Sequence, residues 1–218
     1  MRNFVSATGT CLLISAFTLA EVTTFSATLL PGLTQSLSSE AEPVGASILN
    51  SLASPFSGVD ILGNINFTGT LTSTVWTGDT SNPFVGGLTF TYLLANNGSS
   101  ADPLVRMTLS RFDGFQTDVG YFGLGLVPTS VERTLSNSGR QVAFNFETPF
   151  RLQPGVSSAL LIIQTDAYAW QLGNASVIDD ATANALTLVP ATNIPEPTSV
   201  ALLGIGGLML ATRCKRKS

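Results

Sequence analysis

Histidine is absent from all 218 residues, and no lysine occurs before Lys215. Without histidine a Ser-His-Asp arrangement is impossible, and the commonest general base and transition-metal ligand are both missing. Cysteine is almost absent. Cys11 and Cys214 each sit in a terminal apolar segment. If both segments are removed, the mature chain has no disulfide, no CxxC redox pair and no thiolate metal site. Charge is scarce too, at 11% of residues, and mean hydropathy is +0.34. Between Glu21 and Pro195 the cations are Arg106, Arg111, Arg133, Arg140 and Arg151 alone, and thirteen acids leave this stretch near −8. A surface that acidic, with no basic stripe, repels phosphate backbones, so no nucleic-acid partner is expected. Nucleophile-elbow, P-loop, dinucleotide, EF-hand and zinc patterns are all missing, as is any repeat of 20–50 residues.

What is present is most informative at the two ends. Arg2 precedes an apolar stretch that is densest at Cys11-Leu12-Leu13-Ile14-Ser15-Ala16-Phe17-Thr18-Leu19-Ala20. A short positive region, about ten apolar residues and small residues at −3 and −1 form the secretory signal pattern. Thr18 and Ala20 place a cut before Glu21, and Thr24 and Ser26 offer a later one before Ala27. The competing reading is a buried N-terminal helix. Cys11 lies inside the apolar core of the segment, behind Ala7-Thr8-Gly9-Thr10, which is not a lipobox.

Toward the other end the chain reads Pro195-Glu196-Pro197, a thirteen-residue apolar run over 200–212, then Arg213, Lys215, Arg216 and Lys217. The prolines forbid helix through the motif and hold it extended. As a helix the run spans roughly 20 Å, short of a hydrocarbon core of about 30 Å. Its three glycines (Gly204, Gly206, Gly207) weaken it further, at about 1 kcal/mol each relative to alanine. The basic cluster stays cytoplasmic by the positive-inside rule, so with a signal in front the passenger lies outside. Both ends give the same topology.

This order of Pro-Glu-Pro, short glycine-containing apolar helix and basic cluster resembles the PEP-CTERM sorting signal. The resemblance covers residues 193–218, about an eighth of the chain. It implies processing by exosortase, an integral-membrane cysteine protease-like enzyme of bacteria that make exopolysaccharide. It also implies delivery to the cell envelope or extracellular matrix after transient anchoring in the cytoplasmic membrane, with Pro195, Glu196 and Pro197 as the recognised positions. The logic parallels a GPI signal, whose cleavable tail leaves no membrane span behind.

The passenger reads as all-β. In Asn64-Ile65-Asn66-Phe67-Thr68-Gly69-Thr70-Leu71-Thr72-Ser73-Thr74-Val75, apolar or small residues alternate with Asn and Thr. Period two over twelve residues predicts a long half-buried strand. Leu88-Thr89-Phe90-Thr91-Tyr92, Val105-Arg106-Met107-Thr108-Leu109 and Val142-Ala143-Phe144-Asn145-Phe146 repeat the pattern. Leu160-Leu161-Ile162-Ile163 is continuous, as in a strand covered on both faces. Turn residues punctuate these runs at Asn97-Gly98, Asp102-Pro103, Asp113-Gly114, Asn137-Ser138-Gly139 and Pro154-Gly155. Asn97-Gly98 is the expected tight hairpin. The expected architecture is an antiparallel β-sandwich with an N-terminal signal helix and a single C-terminal transmembrane sorting helix. Its expected parts are a signal peptide over 1–27, a leader or irregular segment over 28–59, the sandwich over 60–190, a linker over 191–199, the sorting helix over 200–212 and a basic tail over 213–218.

Candidate chemistry in the passenger is thin. Asp113 with Asp118, or Asp179-Asp180, are the carboxylate pairs that could serve glycoside hydrolysis without histidine. Asp79, Asp102, Asp113 and Asp179 fall in loop-like segments where a secreted β-sandwich could hold calcium, although no ligand spacing selects a set. Trp76, Tyr92, Tyr121, Tyr168 and Trp170 are read as core rather than as a sugar platform. Sequons occur at Asn66, Asn97 and Asn174. The expectation is a non-enzymatic envelope or matrix protein without cofactor. A carbohydrate- or calcium-dependent adhesion module is the alternative, and a glycoside hydrolase a more distant one.

Overall fold

The computed structural model describes residues 28–192. The expected signal segment, Pro195-Glu196-Pro197, the apolar run and the basic residues Arg213, Lys215, Arg216 and Lys217 lie outside them. Among the described residues no helix is long and apolar enough to cross a membrane.

The strands are Thr34–Gln35 (β1), Ser38–Ser39 (β2), Ser47–Val59 (β3), Ile65–Thr77 (β4), Thr89–Asn96 (β5), Arg106–Ser110 (β6), Thr117–Phe122 (β7), Ser130–Arg133 (β8), Gln141–Asn145 (β9), Leu160–Thr165 (β10), Ala169–Ile178 (β11) and Thr182–Ala191 (β12). They form two six-stranded sheets, ordered β1-β8-β9-β6-β11-β12 and β2-β7-β10-β5-β4-β3. The fold is all-β and sandwich-like, with one continuous core between the sheets that includes Phe67, Phe90, Tyr92, Met107, Phe144 and Leu188. The sheets are not wholly antiparallel, because β2 pairs with β7 in parallel. The reason is a strap at the start of the domain. It runs antiparallel to β8 as β1, keeps its heading for two residues, and then borders β7 of the other sheet as β2.

Alternation explains β4. Phe67, Gly69, Leu71, Ser73 and Val75 face the core, and the intervening threonines are half-exposed. Residues Leu161 to Thr165 of β10 are buried on both faces, as a continuous apolar run requires. β5 departs from its period-two expectation, since Thr89 through Tyr92 are all buried. The loop before it supplies the reason. Asp79 and Asn82 reach the outer face of this sheet, where they accept from and donate to Thr89 Oγ1 at 2.7 and 3.3 Å.

One boundary and one turn differ from the sequence expectation. Residues 28–59 are not an irregular leader. Leu29 is fully buried, and β3 pairs with β4 along almost its whole length. The inward positions Ser54, Phe56 and Gly58 are too mixed in hydropathy to display the period. Asn97-Gly98 is not a positive-φ hairpin either. Ser100 N–H donates to the Asn97 carbonyl in a turn that carries the chain from β5 to β6 in the other sheet. A left-handed hairpin does occur at Asn137-Ser138-Gly139, with φ of 51°, 53° and 77°, between β8 and β9.

The edge strand β12 is sewn to the opposite sheet. Leu186 and Leu188 N–H donate to Ser54 Oγ and Ser73 Oγ at 3.0 and 3.1 Å, and the Tyr92 hydroxyl donates to the Leu188 carbonyl at 2.9 Å. These side chains satisfy three groups of the free edge of β12, which hinders another strand from pairing along that stretch. Ala191 pairs with Ala169, just beyond the end of β10, so the chain leaves the domain at the end where β10 finishes. The loops after β3, β5, β9 and β11 lie at the opposite end.

Candidate functional site

The acids suggested as calcium ligands do different jobs. Asp79 is a structural hub. Its Oδ1 accepts from Val44 N–H, Ser81 N–H and Ser81 Oγ at 3.2, 3.0 and 2.6 Å, and its Oδ2 from Thr89 Oγ1 and Gln164 Nε2 at 2.7 and 3.3 Å. Burial works to raise its pKa, but the hydrogen bonds from Ser81, Thr89 and Gln164 outweigh it and hold the carboxyl below its ordinary value. A carboxylate with this many protein donors has little acceptor capacity left for a cation. Asp118 is buried in β7, where its Oδ1 accepts from Val119 N–H at 3.0 Å, and it does not line the cleft that Asp113 lines. The Asp113/Asp118 pair is therefore not assembled as a facing acid pair.

Asp179 and Asp180 do share a cleft, at the end opposite the chain's exit. It encloses about 410 Å³, with Arg106, Asn145, Glu147 and Arg151 among its walls. Arg106 is committed there, donating to Thr108 Oγ1 and Asn145 Oδ1 and pairing with Glu132. Desolvation raises the Asp179 pKa, Asp180 and Asp102 add repulsion, and the Asp180 N–H and Arg151 partly offset them. No group of three potential metal ligands occurs among the described residues.

A second cleft lies where the chain leaves the domain. Arg111, Asp113, Phe115, Arg140, Pro190 and Thr192 line about 250 Å³. The frame behind it is rigid because of Arg133, which is only 4% exposed. Its Nε donates to Gly139 O at 2.9 Å, Nη1 to Leu29 O and Thr117 Oγ1 at 3.1 and 3.0 Å, and Nη2 to Phe112 O and Phe115 O at 2.7 and 2.8 Å. All five guanidinium donors are used, so one side chain ties the strap, the turn after β6 and the β8–β9 hairpin together.

The chain matches no family model, no curated protein and no solved structure. The aromatic side chains divide. Tyr92 is core, and Trp170 packs against the core half-buried. Trp76 is half-buried, its Nε1 donating to Thr91 Oγ1 at 2.9 Å, and Tyr121 is half-buried. Tyr168 is 65% exposed, against the expectation that it is core, because it sits in the short turn between β10 and β11. Sequence reasoning missed Arg111 and Arg140. The usable signal was their scarcity, since each cation in so acidic a domain has a short list of possible jobs.

Proposed function

We propose that this is an exported bacterial cell-envelope or extracellular-matrix protein of PEP-CTERM type, non-enzymatic, sorted by exosortase through its tail. One observation carries the reading. The last strand, β12, ends at Ala191, and within the next 26 residues come Pro195-Glu196-Pro197, the glycine-containing apolar run and the four-residue basic cluster, in that order. A folded passenger followed at once by an extended motif and a weak membrane stop is what a membrane-embedded processing enzyme needs. The motif then lies at the outer membrane–water boundary, with its backbone kept out of helix by proline. Pro195, Glu196 and Pro197 are the recognised positions, and Arg213, Lys215, Arg216 and Lys217 hold the precursor in place. The mature protein joins the envelope or the exopolysaccharide matrix without a membrane span.

The test is expression in a host that contains exosortase. Glu196→Gln keeps shape and removes charge, and should leave a membrane-held precursor. Reversing the four basic residues to acids should disturb membrane retention before cleavage. Wild-type processing of both Glu196→Gln and a triple alanine replacement of the motif would make it an ordinary linker.

A second reading is favoured by the cleft at Asp179 and Asp180: an adhesion module for glycans, with or without calcium. Glycan-array binding of the passenger that disappears in Asp179→Asn would support it, and an array without signal in either calcium condition would remove it.

A further inference from the structure

Thr192, the last described residue, is itself part of the wall of the exit cleft, beside Arg111 and Arg140. Both arginines are exposed, and neither has an ion-pair partner among the described residues. They are held side by side. Ser110 pairs with Gln141 across β6 and β9, and Phe112 N–H donates to the Arg140 carbonyl at 3.0 Å. Arg133 in turn fixes Phe112 through its carbonyl. Arg111 is locked at φ 77°, in the left-handed region that side chains of its kind rarely adopt. Strain kept at an exposed, unpaired cation suggests a task for it.

We propose that this cleft binds the carboxylate of Glu196, so that the chain's own Pro195-Glu196-Pro197 docks on the domain it follows. Charge selects the occupant. Arg111, Arg140 and Asp113 leave one net positive charge in the cleft, and Glu196 is the sole acid after Asp180. Reach allows it: four residues beyond Thr192, Glu196 lies within about 14 Å of extended chain. The flanking prolines lose little entropy on docking, and Phe115 and Pro190 offer apolar surface against which proline rings pack. A surface ion pair is weak between separate molecules, but a tether this short raises the local concentration to the millimolar range. The consequence for processing rests on the sorting reading above; the docking does not. Docked, the motif is withheld from a membrane protease, so the folded domain controls when its own tail can be cut.

The experiment uses the full chain in detergent micelles, with Cys11 and Cys214 replaced by serine and a nitroxide placed on Ile194→Cys. The unaltered motif should give a motionally restricted spectrum. In Arg111→Gln/Arg140→Gln the restricted fraction should fall about fivefold, the loss of one charge-assisted pair. Glu196→Gln lies outside the sandwich and cannot unfold it, and should give the same fall. Equal mobility in all three chains overturns the docking. Processing in the exosortase host is scored separately. Docking without any cleavage would sink the sorting reading alone, and faster cleavage of the double arginine variant is the expected result if both hold.

Discussion

Arg133 illustrates what a buried charge requires at the scale of one residue. Desolvation pulls its pKa down, and the nearby charges of Asp166 and Asp113 work in the opposite direction. No carboxylate touches it; four backbone carbonyls and one hydroxyl do. Arg133→Leu would leave several of these acceptors buried without a donor, at about 1–3 kcal/mol for each that cannot find water. A loss of about 3 kcal/mol or more is expected in urea melts, and a loss below about 1 kcal/mol would show that the network is dispensable. Asp79 makes a pH prediction. Its folded pKa is depressed relative to about 3.9 in the unfolded chain. Its contribution is therefore fully present above about pH 4 and is lost as pH falls through the lower folded value. Asp79→Asn should lower stability at pH 7 and flatten the acid side of the stability–pH curve. An acid limb identical to the parent's would assign that limb to other carboxylates.

At the scale of elements, β3 and β4 are matched by two reciprocal pairs. Phe56 lies opposite Gly69 and Gly58 opposite Phe67, and each ring covers the glycine across from it. The two rings meet edge to face, with centroids 6.2 Å apart at 64°. A methyl group on Gly69 would collide with the Phe56 ring and with the Ala95 carbonyl oxygen. Backbone cannot yield cheaply there, so Gly69→Ala should cost about 1–3 kcal/mol by overpacking, despite alanine's better strand entropy. Thermal melts that leave the midpoint unchanged would refute this. The same pair marks the limit of sequence reading. β4 was legible because its inward residues alternate cleanly with threonine. β3 was not, because two of its three inward positions are not large apolar residues: Gly58 makes room for the Phe67 ring of β4, and Ser54 accepts from Leu186 N–H of β12. The turn at Asn97-Gly98 was misread for a related reason: dipeptide chemistry reports a turn but not which sheet the next strand joins. Pro195-Glu196-Pro197, the apolar run and the basic residues after it are contiguous in the sequence, so the proposed sorting signal needs no fold to be seen. The exit cleft is assembled from the turn after β6, the start of β9 and the end of β12, and no local pattern announces it.

For the whole molecule, the decisive element is the strap over residues 28–39, which borders both sheets. Leu29 N–H donates to Thr117 O at 2.8 Å, Gly32 N–H to Arg133 O at 2.9 Å, and Arg133 N–H returns to Leu33 O at 2.9 Å. Leu29 is a core residue, and its carbonyl takes one of the Arg133 donors. A chain of residues 28–192 should give a strand-dominated far-UV spectrum that reductant does not change, since it contains no cysteine. A chain of residues 42–192 keeps every long strand but opens β7 and β8 as edges and empties the Leu29 site. Loss of that side chain alone is worth about 3 kcal/mol, and two opened edges invite pairing between chains. The shorter chain should unfold at distinctly lower denaturant and associate at concentrations where the longer one stays monomeric. Equal midpoints would mean that the strap merely lies on a finished sandwich. Both signal cuts suggested by the sequence, before Glu21 and before Ala27, spare the strap, the second by a single residue ahead of Thr28. A mature protein starting beyond residue 29 would have lost the side chain that closes its core.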